Sequence, residues 1–172
     1  MKKRLSSQSG ARRLAVALAL CAALLLGLGQ TALAQTVTIK GFTFTLPDGA
    51  ELSYEYSDSF SFSAASEDSS LHELKVCVDS KGISITADMY FGVSLDWIYE
   101  QLDKGDGEHM QNLIHDQPTL FLHTVEYDEY SIALAAVKIN GSYITGVENQ
   151  WDTQSTGDLL LQVLSSVEFD AP

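Results

Sequence analysis

The sequence predicts an α+β fold: an antiparallel β-sheet of about six strands or more, flanked by helices. Three observations carry that expectation. Apolar residues recur at every second position through most of residues 36–91, the signature of half-buried strands. After Ser94, and again after Asp158, the recurrence switches to the i, i+3, i+4 spacing of a helix. Asn140-Gly141 lies between two apolar runs and is the strongest short-range hairpin signal in the chain.

The elements follow in order. Val37 and Ile39 alternate with polar neighbours, Gly41 interrupts, and Phe42, Phe44 and Leu46 resume the alternation. Pro47-Asp48-Gly49 is a turn, because proline presets φ and glycine accepts a positive one. Leu52, Tyr54 and Tyr56, then Phe60 and Phe62, then Leu74, Val76 and Val78 mark three further strands, the last closed by Ser80-Lys81-Gly82. Ile83, Ile85, Ala87, Met89 and Phe91 read as one face of another strand. Ser94 caps a helix whose stripe is Leu95, Ile98, Tyr99 and Leu102, and Lys104-Gly105 ends it. A short helical turn is expected over Met110, Leu113 and Ile114, before Pro118.

Residues 120–127 and 132–139 read as strands. The second is apolar on both faces, with Ile132, Leu134 and Ala136 against Ala133, Val137 and Ile139, as in a sheet covered on both sides. Residues 143–147 return as its hairpin partner, and Leu159, Leu160, Val163, Leu164 and Val167 share the face of a final helix over 158–167.

Residues 1–34 read as a cleavable signal peptide and 35–172 as a single α+β domain. Lys2, Lys3, Arg4, Arg12 and Arg13 form a basic start without acids. Residues 14–28 are almost wholly Ala, Leu and Val, and Ala32-Leu33-Ala34 supplies small residues at −3 and −1. The apolar run is shorter than the ~20 residues of a spanning helix, so no transmembrane segment is expected after cleavage. Arg12-Arg13 raises the twin-arginine route, but Leu14-Ala15-Val16 lacks that signal's aromatic residue. The expected product is exported, either secreted or held in the periplasm or cell envelope.

Cleavage removes five of the ten basic residues and none of the 23 acidic ones, taking the formal net charge from −13 to −18. The remaining bases are Lys40, Lys75, Lys81, Lys104 and Lys138, with no arginine. Such a surface repels phosphate backbones and anionic lipids, so nucleic acid is excluded as a partner class. Cys77 is the only cysteine left, which rules out an intramolecular disulfide.

An aromatic strand running into Leu46-Pro47-Asp48-Gly49, a set of antiparallel strands, a helix, a hairpin, and a last helix ending Leu164-Ser165-Ser166-Val167-Glu168-Phe169 come in a distinctive order. Over residues 42–169 this order resembles the PsbP/Mog1-like family. The resemblance implies an α/β/α sandwich around an antiparallel sheet. It also implies a mostly non-enzymatic role: family members serve as photosystem II accessory subunits, as a cofactor of the Ran GTPase, or in bacterial envelopes. The acidic insert over 103–118 and the lack of arginine depart from the basic surfaces used in that family, so the resemblance carries fold and not activity.

Chemistry-bearing residues are sparse. Cys77 beside Lys75 has the neighbour that would lower a thiol pKa, but no histidine or Cys-Gly signature accompanies it, and inert packing is its expected role. His72, His109, His115 and His123 form no i, i+4 pair or zinc spacing, although Glu108-His109 and His115-Asp116 share one loop. Asp103, Asp106 and Glu108, interleaved with glycines, are the candidate metal ligands, and calcium is the candidate ion, since it needs several oxygens on a tightly turning chain. Their spacing is not that of an EF-hand. Asn140-Gly141-Ser142 matches a glycosylation sequon, but its residues are those that the hairpin turn itself requires. No nucleophile elbow, phosphate loop or dinucleotide fingerprint occurs, and no cofactor or catalytic set is expected.

The expected function is a non-enzymatic binding or accessory domain for a protein or small ligand. The alternatives are a calcium-binding envelope module and a hydrolase using dispersed carboxylates such as Glu126 and Asp128. An apolar surface patch on the sheet, or beside Trp97 or Trp151, would favour binding, and a cleft with convergent acids would favour the enzyme.

Overall fold

A computed structural model describes residues 34–65, 70–126, 129–151 and 157–169. Apart from Ala34, the expected signal peptide lies outside the described residues. Among the described residues ten strands and three helices follow one another: β1 (Thr36–Ile39), β2 (Phe42–Thr45), β3 (Glu51–Glu55), β4 (Ser59–Ala65), β5 (Leu71–Val78), α1 (Ser84–Phe91), α2 (Leu95–Lys104), β6 (Met110–Ile114), β7 (Gln117–Glu126), β8 (Tyr130–Ile139), β9 (Ser142–Gln150), α3 (Asp158–Ser165) and β10 (Glu168–Phe169). The fold is α+β and predominantly antiparallel sheet. Seven strands make one sheet in the order β3-β4-β5-β9-β8-β7-β6, and β1-β2-β10 make a smaller one.

The large sheet is buried on both faces. On one side Phe60, Phe62, Leu74, Val76, Ala133, Ala135, Val137 and Ile144 meet α3 and the apolar faces of β1 and β2. On the other, Ile132, Leu134, Ala136, Leu120 and Val147 meet Ile83 and Ala87 of the α1 region and Leu95, Ile98 and Leu102 of α2. Seven consecutive residues of β8, Ser131 to Val137, are buried, as its two-faced apolar pattern requires. Because α3 shares its layer with a three-stranded sheet, the arrangement is richer in sheet than the expected α/β/α sandwich.

The turns obey local chemistry. Asn140 and Gly141 both take positive φ (49° and 83°), the requirement of the two-residue hairpin read from the sequence. Lys40-Gly41 and His115-Asp116 repeat that geometry between β1 and β2 and between β6 and β7. Ser94 caps α2, its Oγ accepting the Trp97 N–H at 3.2 Å, and Gly105 ends the helix in the left-handed region.

Two elements differ from expectation. Residues 84–91 form helix α1, not a strand. Positions 83, 87 and 91 belong to both a two-residue and a near-four-residue period, so the sequence pattern was ambiguous. Ile83, capping the helix, and Ala87 within it are fully buried, while Ile85 and Met89 face outward at 75% and 66% exposure. Residues 110–114 form edge strand β6, not a helical turn, with only Ile114 buried. Pro118 does not end the structure but sits within β7 opposite Asn112, beside a register shift where a missing N–H is tolerated.

Helix α3 is seated by close approach. A Cβ on Gly146 of β9 would come within 2.5 Å of Leu160 Cδ1, so only glycine lets the helix lie this near the strand. Leu160, Val163 and Leu164 are fully buried there. At the other end of α3, Ser166 Oγ accepts the Thr45 N–H at 2.9 Å and joins the helix to β2. Among the described residues no helix is long and apolar enough to cross a membrane. Leu160→Ala should cost ~2–5 kcal/mol in urea unfolding, while Ile85→Ala on exposed α1 should change stability by under about 0.5 kcal/mol. A Leu160→Ala loss below about 1 kcal/mol would contradict this placement of α3.

Candidate functional site

Helix α1 carries apolar side chains on its outer face as well as its inner one, and the outer ones cannot reach the core. Ile85 and Met89 stand one turn apart on that outer face. Tyr90 lies in the last turn of the same helix, and its ring meets Tyr130 at the start of β8 at 6.4 Å between centroids and 85° between planes. Tyr130 in turn packs at 5.4 Å and 49° against Trp151, just beyond β9 and 64% exposed. Ser131 pairs with Gln150 in the β8–β9 ladder, so the hairpin register itself brings Tyr130 and Trp151 to one sheet end.

Between these side chains lies an open groove of about 400 Å³, with Glu73, Thr86, Asn149 and Gln150 completing its walls. It has the size and mixed lining of a small-molecule site: an apolar body with a few polar groups. Among the described residues, Glu73 is the only charged one along it. A second depression of about 280 Å³ continues past Glu73 toward Tyr54 and Lys75. A third, of about 420 Å³, opens on the far side of Tyr90, lined by Trp97, His109 and His123. Trp97 and Trp151 therefore belong to neighbouring depressions. The sequence signal for the groove was Ile85 and Met89, concealed by the strand reading of α1.

The acids singled out in the sequence are placed differently. Asp103 accepts a hydrogen bond from Lys138 at 2.7 Å and from the Tyr143 hydroxyl at 2.9 Å. The Tyr143 ring stacks on Tyr99 at 4.0 Å, and the Lys138 ammonium lies 4.9 Å above it. This cluster latches the end of α2 to the β8–β9 hairpin. Asp106 and Glu108 are exposed in the following loop, and no group of three or more acids, histidines or cysteines among the described residues is disposed to hold a metal ion. His115 and Asp116 form the tight β6–β7 turn. Asp128 of the carboxylate alternative lies outside the described residues.

Cys77 is fully buried on the α1–α2 face of β5. Burial pushes its thiol up to about 11, despite the opposing pull of the Lys75 ammonium. It is a protonated core thiol at neutral pH. His72 and Glu148, both buried, meet at 2.6 Å beneath α3, on the sheet face opposite the groove.

The hydrogen bond from Lys138, then that from Tyr143, holds the Asp103 carboxyl below the ordinary carboxylate range, and Asp103 in turn raises the Lys138 ammonium. Because Asp103's folded pKa is depressed, the latch is at full strength above the ordinary carboxylate pKa. It is lost as pH falls through the folded value. In an NMR titration Asp103 should titrate below ~3.9, and Lys138→Met should move its midpoint upward. An unmoved midpoint in Lys138→Met would show that the pair does not persist in solution.

Comparison with known proteins adds a distant likeness only. No family model matches the chain, and no curated protein matches it. A solved crystal structure from Bacteroides thetaiotaomicron resembles it with a TM-score of 0.48 and 11% identity, over 76% of this chain and 46% of that one. The chain thus spans a little under half the length of the protein it resembles.

Proposed function

We propose that the chain is an exported, non-enzymatic binding domain that holds a small ligand in the groove between α1 and the Tyr130–Trp151 end of the sheet. One observation carries the reading. Ile85, Met89 and Trp151, three of the most exposed large apolar side chains described, converge on the same groove. Leaving such surface in water is unfavourable unless a ligand covers it, and convergent patches of this kind mark binding sites.

The lining favours binding over catalysis. Two-carboxylate hydrolysis needs a pair of acids facing one another, and the described walls of the groove offer Glu73 alone. The one cysteine of the domain is buried and protonated. Export is supported by the basic, apolar and Ala-x-Ala segments of residues 1–34. Helices buried against both faces of the large sheet support a distant PsbP/Mog1-like layering.

The neutral dye Nile red is a suitable probe, since it carries no charge for the acidic surface to repel. Its emission should rise and shift blue saturably on the mature chain. Ile85→Glu should abolish that signal while changing stability by about 0.5 kcal/mol or less, since the position is 75% exposed. Nile red binding that is absent, or indifferent to Ile85→Glu, would overturn the assignment.

A further inference from the structure

We infer that the groove is selective for a small quaternary ammonium cation, an inference that rests on reading the groove as a ligand site. The geometry supplies the first argument. Tyr90, Tyr130 and Trp151 all line the groove, the first two nearly perpendicular and the last two tilted at 49°. Rings set at such angles make walls around a shared space, and their electron-rich faces attract a cation placed between them.

The second argument is charge. Glu73 stands at the wall, and among the described residues no lysine lines the groove. Elsewhere the protein supplies its own cation to aromatic faces: Lys138 lies 4.9 Å from the Tyr143 ring centre and Lys75 5.7 Å from that of Tyr54. Of the other three mature lysines, Lys40 pairs with Asp79 and Lys104 with Glu100, and Lys81 is in neither the groove nor a described ion pair. The described lining around Tyr90, Tyr130 and the 64% exposed Trp151 thus holds no ammonium of the protein's own. The expected charge of −18 after leader removal draws cations toward it and repels anions.

The third argument selects the type of cation. A primary ammonium has three N–H donors that must find acceptors on leaving water. The groove offers three ring faces and the methyl and thioether groups of Ile85 and Met89, with the acceptors Glu73, Thr86, Asn149 and Gln150 confined to its other walls. A quaternary ammonium has no N–H to satisfy, so its apolar shell can rest on Ile85 and Met89 while its charge is met by the rings and Glu73. The volume of about 400 Å³ admits such a head group.

Calorimetric titration of the mature chain with choline and with 3,3-dimethyl-1-butanol, its neutral isostere, tests this directly. Choline should bind roughly 10-fold tighter or more. Glu73→Gln should weaken choline and leave the alcohol unchanged, and Trp151→Ala should weaken choline most. Equal binding of both compounds would overturn cation selectivity while leaving a positive Nile red result standing. Absence of choline binding, or choline binding indifferent to both substitutions, would overturn it as well. Phosphatidylcholine vesicles form the second arm: cosedimentation with vesicles without binding of free choline would overturn the small-molecule assignment in favour of a lipid surface.

Discussion

Glu148 is buried to 1% exposure in β9, near the middle of the large sheet, and its carboxylate must be compensated or the layer above it cannot close. One oxygen meets His72 Nδ1 at 2.6 Å from the neighbouring strand β5, and the other accepts the Leu160 N–H at 2.9 Å in the first turn of α3. The helix end brings an unsatisfied donor and a positive dipole to the place where the strand offers an anion. Strand β9, the helix that follows it and β5, whose His72 is 76 residues away, are joined at one carboxylate. Two residues earlier, Gly146 removes the side chain that would hold α3 away. The demand of this region is not fully met: His72 Nε2 and Gln150 Oε1, on cross-strand neighbours, are buried without a hydrogen-bond partner among the described residues. Polar pairing of this kind costs desolvation and returns specificity of placement.

With α3 and the small sheet set on one face, the other face is left to α1 and α2. Strand β8 can then be apolar on both sides, and the end of the β8–β9 hairpin is held in fixed register. That register is what places Tyr130 beside Trp151. The groove is therefore a consequence of the sheet, with α1 adding a helical face that exceeds what the core can absorb. Its shape follows from the strands, and its apolar and aromatic character from five exposed or half-exposed side chains, Ile85, Met89, Tyr90, Tyr130 and Trp151.

How much of this was legible in the sequence depends on what each signal measured. Alternation in β2, β4 and β5, the cap at Ser94, the Asn140-Gly141 turn and the double-faced β8 all report local chemistry, and each was read from the residues that produce it. The α1 segment failed because Ile83, Ala87 and Phe91 fit two periods at once, and only packing on the sheet chooses between them. β6 failed because an edge strand with one buried residue leaves no alternation to detect. The acids were legible as residues but not as partners. Nothing local predicts that Asp103 turns to Lys138 and Tyr143, which lie 35 and 40 residues away. The groove was half legible: Trp151 was noted as a candidate patch residue, but joining it to Ile85 and Met89 required knowing that α1 is a helix.

The buried Glu148 node is the claim on which this account of the fold rests. Urea unfolding of Glu148→Ala, followed by far-UV circular dichroism and tryptophan emission together, tests it most directly. We expect one cooperative transition weakened by about 3–5 kcal/mol, because His72 and the α3 terminus lose their shared partner. Glu148→Gln, which keeps an acceptor for Leu160, should recover part of the loss. A Glu148→Ala domain within about 1 kcal/mol of the parent would contradict the account, and α3 would then be held by apolar contact alone.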